Sequence, residues 1–143
     1  MKKSGGKNVE KELRNYQKEY ERIKRNIREI GLICKGSISK RRLPCGNPNC
    51  RCHKDPKKWH GPYYQLSWKE KGKTVSQFIS SESIDLYHTW MNNRRILIDL
   101  IDQMQDVSRK AADCILAIDK HKSKENKAAK KTKKAPKSRK KTR

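Results

Sequence analysis

Three cysteines stand within eight positions of this 143-residue chain, at Cys45, Cys50 and Cys52, and two histidines follow at His53 and His60. Thiolate and imidazole are donors for tetrahedral zinc, and the Gly-Asn-Pro-Asn between the first two cysteines is turn chemistry that lets the chain double back. Three sulfurs leave one ligand position open. His53 directly follows Cys52 and would need a cramped chelate, whereas His60 returns after a loop containing Pro56. The expected ligands of Zn2+ are therefore Cys45, Cys50, Cys52 and His60, closing a structural site. The spacing C-x4-C-x-C-x7-H departs from the common finger spacings, and the competing reading is reduced cysteines packed as small apolar groups.

Catalysis is not expected at such an ion. Three thiolates make a poor Lewis acid. Zinc deaminases need an H-x-E partner, which neither "CHKD" nor "WHGP" supplies. An odd total of five cysteines also argues against a secreted disulfide framework.

The loop must be positioned by what flanks it. Apolar residues at Val9, Leu13, Tyr16, Tyr20, Ile23, Ile27 and Ile30 repeat at alternating spacings of 4 and 3, which predicts a helix over 9–33 behind a flexible 1–8. Residues 36–44 read as a weak short strand and 45–62 as loop. If Lys71-Gly72 form a two-residue turn, Trp68 lies opposite Val75, Leu66 opposite Gln77 and Tyr64 opposite Ile79. That makes one hairpin face largely apolar and the other polar except for Phe78. "SSES" at 80–83 offers N-caps for a helix over 81–118, whose seam runs Leu86, Trp90, Asn93, Leu97, Leu100, Met104, Val107, Ala111, Cys114, Ile118 with only Asn93 polar. A second stripe, Ile84, Tyr87, Met91, Ile98 and Ile101, widens its first half. Acidic residues there (Asp99, Asp102, Asp106, Asp113) can face Arg22, Lys24, Arg25 and Arg28.

The expected fold class is α+β and mainly helical. Two long helices form an antiparallel helical hairpin, and a module over 35–80 holds the metal loop with a small β-hairpin or three-stranded sheet. Residues 119–143 hold 13 basic and 2 acidic residues and no large apolar one, so a disordered basic tail is expected.

With 38 Lys and Arg against 15 Asp and Glu, a net +23, the chain must meet a polyanion, and nucleic acid, DNA or RNA, is the commonest. No segment has the apolar length to span a bilayer, since "ILIDLI" is broken by Asp, and a cytoplasmic location without membrane partners is expected. Around the metal loop lie Lys40, Arg41, Arg42, Arg51, Lys54, Lys57 and Lys58, cations that an ordered loop would present to phosphates. Trp59 and Tyr63 either stack on an unpaired base or pack against loop and hairpin. In the tail, Lys130, Lys131, Lys133, Lys134, Lys137, Arg139, Lys140 and Lys141 would add phosphate contacts without sequence preference, or serve only as a solubilising run.

The segments "GSISKRRLPCGNPNCRC" and "HGPYYQLSWKEKGKTVSQFIS", followed by a long helix, resemble an uncharacterised family of small prokaryotic proteins known only as a domain of unknown function. The resemblance covers about residues 35–110 and falls on Cys45, Gly46, Pro48, Cys50, Arg51, Cys52, His60, Gly61, Pro62, Tyr63 and Tyr64. His53 stands outside the shared pattern, which again favours His60. The resemblance implies an ordered domain and no particular activity. Two functions remain in competition: a non-enzymatic, zinc-stabilised nucleic-acid-binding protein with sequence-independent backbone contacts, and an assembly adaptor whose heptad helices pair with a protein partner or a second copy.

Overall fold

The computed structural model describes residues 4–134. Lys137, Arg139, Lys140 and Lys141, with the end of the expected disordered tail, lie outside the described residues. The elements are helix α1 (Ser4–Arg28), strand β1 (Ser37–Leu43), two 3-10 turns (Arg51–His53 and Pro56–Lys58), strands β2 (His60–Glu70) and β3 (Lys73–Ile79), a 3-10 turn (Ser81–Ser83) and helix α2 (Ile84–Thr132). The chain divides into two compact units, one made of α1 and the chain from Leu100 onward, the other of Glu29–Asp99.

In the first unit the heptad seam of α1 is its covered face. Val9, Leu13, Tyr16, Tyr20 and Ile27 are half-buried, and Ile23 is 1% exposed. On α2, Leu100 and Cys114 are buried, with Met104, Val107, Ala111 and Ile118 half-buried between and beyond them. Val9 and Tyr16 share a cavity with Cys114 and Ala117, Tyr16 and Tyr20 another with Val107 and Ala111, and Tyr20 a third with Ile101 and Met104. The expected cross-helix ion pairs are not formed. Among the described residues the two ion pairs are within α1, Arg22 with Glu19 and Lys24 with Glu21. Exposed carboxylates gain little from a distant cation, and i,i+3 neighbours are already within reach.

Both helices run beyond their apolar seams. α1 starts at Ser4 where flexible chain is expected up to residue 8, and α2 continues to Thr132 through residues 119–132, where a disordered tail is expected. A seam marks only the part of a helix that something covers. Once nucleated, a helix propagates through good formers at small cost, and "ENKAAKK" is rich in them; Lys130 and Lys131 in the last turn also suit its dipole. At its other end α1 stops at Arg28, short of the expected 33.

The second unit is built on an antiparallel sheet of order β1-β2-β3. β2 pairs β3 in the expected register, with Tyr64 opposite Ile79, Leu66 opposite Gln77 and Trp68 opposite Val75. Lys71 (φ 49°) and Gly72 (φ 80°) are both left-handed, as a two-residue hairpin turn that follows the sheet twist requires. β1 adds on the far side of β2, placing Ile38 opposite Leu66, which is 5% exposed. Before β1, the connector is tied to α2 twice: the Cys34 amide donates to the Trp90 carbonyl (3.2 Å), and Asn93 Nδ2 donates to the Leu32 carbonyl (2.9 Å). The one polar residue of the α2 seam thus has a backbone partner. Ser80 accepts from the Glu82 amide (3.1 Å) and caps the 3-10 turn that leads into α2.

Candidate metal centre

The loop between β1 and β2 is closed by the sheet itself. The β1–β2 ladder is interrupted by a bulge between Arg41 and Leu43, after which Leu43 pairs with His60. That pairing brings the two ends of the loop, Cys45 and His60, to one place. Gly61 has φ +128°, and a Cβ there would lie 2.9 Å from the Arg41 carbonyl oxygen, so the chain can pass the bulge only with glycine; a cis Gly61–Pro62 peptide follows.

Within the loop, side chains of the turn residues hold the backbone. The Asn47 carbonyl accepts from the Cys50 amide (3.1 Å) and Asn47 Oδ1 from the Asn49 amide (3.0 Å), while Asp55 Oδ1 accepts from the Lys57 amide (3.0 Å) at the start of the second 3-10 turn. The loop is therefore more regular than its Gly and Pro content predicts.

The ligand atoms of Cys45, Cys50, Cys52 and His60 all lie within 4.8 Å of one another. Cys50 Sγ is 3.3 Å from His60 Nε2, and Cys52 Sγ is 3.5 Å from Cys45 Sγ. Cys52, 1% exposed, forms the floor, and the Cys45 amide donates to its sulfur (3.3 Å). Such a set can bind a metal ion. His53 points elsewhere: its Nε2 is 2.7 Å from the Cys45 carbonyl oxygen, which can only accept, so the imidazole donates and clamps the first ligand's backbone. Cys34 and Cys114 are outside the cluster.

Electrostatics separates the thiols. The Cys52 backbone amide, then the His60 imidazole and the neighbouring Cys52 and Cys45 side chains, lower the Cys50 thiol from 9.0 to about 6. Burial raises the Cys52 thiol, with Cys50 and Cys45 adding to the shift. One sulfur is thus ready as thiolate at neutral pH, and another favours a proton until a cation replaces it.

The sequence-derived cations fall into two groups. Lys40, Arg41 and Arg42 lie on β1, Arg51 and Lys54 at the first 3-10 turn, and Lys57 and Lys58 on the second, all exposed. Lys130 and Lys131 are in the last turn of α2, followed by Lys133 and Lys134. Trp59 is half-buried, while Tyr63 is exposed with its ring edge-on to Phe78. Gly61 and His53 are the structural residues that sequence reasoning passes over. His53 carried a signal only as a rival ligand, and Gly61 only through the shared HGPYY motif.

Residues 7–88 match DUF6788, a domain of unknown function. The chain belongs to that family. The DUF6788 segment takes in most of α1, the whole sheet, the metal loop and the first residues of α2. The sequence resemblance, at about 35–110, starts too late, and the first helix is part of the family's domain. Neither the curated proteins nor the solved structures searched gave a match. No helix among the described residues is long and apolar enough to cross a membrane.

Proposed function

We propose that this member of the DUF6788 family is a non-enzymatic nucleic-acid-binding protein whose loop is stabilised by Zn2+ held by Cys45, Cys50, Cys52 and His60. The observation that carries it is three sulfurs and an imidazole converged within 4.8 Å on a loop whose own and preceding residues include seven exposed cations. Ligands on a tetrahedral zinc with bonds of about 2.3 Å are about 3.8 Å apart, and the 3.3 and 3.5 Å contacts need only a small expansion. Held in this way, Arg51, Lys54, Lys57 and Lys58 contact phosphates at little ordering cost. The reversed order in which α1 and α2 residues share cavities supports an antiparallel helical hairpin as the scaffold. Lysines from 120 onward add sequence-independent affinity, and the protein acts in the cytoplasm.

Metal analysis and salt titration test this reading. Purified protein should hold one zinc per chain. Neutralising 6–10 phosphates should cost about three to five decades of affinity between 50 and 200 mM salt. The second reading, an adaptor, draws on exposed Ile115 and Leu116 on α2. Apolar pairing of that kind would leave affinity nearly independent of salt.

A further inference from the structure

Opposite its apolar side, the sheet presents a polar face with one exception. On that face Phe78 is 58% exposed and Tyr63 42%, their ring centroids 6.1 Å apart at 66°. Arg41 stands directly across the ladder from Tyr63. A phenylalanine held in water on a polar face gains little from burial, but with Tyr63 it offers flat π-surface, and the cation Arg41 stands beside Tyr63.

Farther along, where the polar face meets the sheet border, Ser67, Lys69 and Thr74 line a cavity of about 380 Å³ that Ser37, Lys35, Arg94 and, from the apolar face, Trp68 complete. It collects three cations and three hydroxyls, with no carboxylate in its lining. Gln65, opposite Phe78, and Lys69, opposite Thr74, are four residues apart on one strand, about 13 Å. An aromatic pair and an anion pocket at that separation complement a ligand that carries free ring faces and phosphates on one chain. A duplex hides its ring faces in the stack, so the fitting ligand is single-stranded.

We propose that the polar face of the sheet binds single-stranded nucleic acid, with a base stacked on Phe78 and Tyr63 and a backbone phosphate in the pocket of Lys35, Lys69 and Arg94. The assignment rests on the nucleic-acid reading above and specifies its substrate and site. It draws on none of Arg51, Lys54, Lys57 and Lys58 and on none of the lysines from 120 onward.

The test compares a fluorescein-labelled oligothymidylate with a duplex of equal length, using the full zinc-loaded chain at about 200 mM salt, where diffuse lysine contacts are screened. Phe78→Ala and Tyr63→Ala should each weaken single-strand binding about 5- to 150-fold and leave duplex binding unchanged. Phe78→Tyr, which keeps the ring, should bind as wild type, and it serves as the folded control should the alanine variant not fold. Lys69→Glu and Arg94→Glu should weaken single-strand binding and flatten its salt slope. If wild type binds both ligands and the Phe78 and Tyr63 variants match it, the face is not the site, although the broader reading survives. Duplex preferred over single strand by wild type overturns the assignment, and binding of neither overturns both readings.

Discussion

Cys50 receives both the Cys52 amide and the His60 imidazole, so replacing it removes the sulfur best prepared to meet a cation. On the zinc reading proposed above, Cys50→Ser should take bound zinc from one per chain to none by metal analysis, while Cys34→Ser and Cys114→Ser keep it. Acid should act through the same atom. With its thiol near 6, Cys50 is mostly ionised at pH 7 and mostly protonated at pH 5. A depressed pKa favours the metal-ready form above that value and loses it as pH falls through it, so zinc affinity should drop about tenfold or more over this interval in a competitive chelator titration. Asn93 gives a prediction of another kind. Asn93→Leu completes the apolar seam yet removes the tie to the Leu32 carbonyl, and should lower stability by up to about 1 kcal/mol in urea unfolding. From the sequence Asn93 was visible as the odd member of its seam, and the four candidate ligands were visible by type and spacing. Their partners were not, because the Asn93 bond spans 61 positions and the His53 clamp depends on where the Cys45 carbonyl points.

Elements were legible where a period was at work. The alternating 4 and 3 spacing named the covered residues of α1, and the two-residue turn named every pair of the β2–β3 ladder. The period missed what does not depend on burial. α2 crosses residues 119–132 on helix propensity alone, and Leu86, given a seam position, is 49% exposed near the helix start. It gave β1 only as a weak strand and left open the β1–β2 ladder, whose bulge and glycine are set by one close backbone approach. Gly61→Ala meets the Arg41 oxygen and a left-handed φ at once, so it should cost about 1–3 kcal/mol in thermal or urea unfolding. Since that ladder carries His60 to the cysteines, the same variant should also weaken zinc binding.

Charge is the property that belongs to the whole chain, and +23 on 143 residues makes ionic strength the natural variable for its behaviour. Deleting 119–143 removes 13 of the 38 basic residues and should flatten the salt dependence of nucleic-acid binding. The sheet-bearing unit should stay folded, because it is made of Glu29–Asp99 and includes none of the deleted residues. The sequence announced this charge and its division between loop and tail, but not that α2 carries the tail's residues 119–132. One arrangement has a practical side. β1 is an outer strand of the sheet, and Lys40, Arg41 and Arg42 occupy it in succession. Unpaired strand edges recruit other chains, and a row of like charges repels a second copy before hydrogen bonds form. Trimming all three to alanine would leave a smooth β-prone border, and such a variant should self-associate, with rising light scatter at concentrations where the parent stays clear.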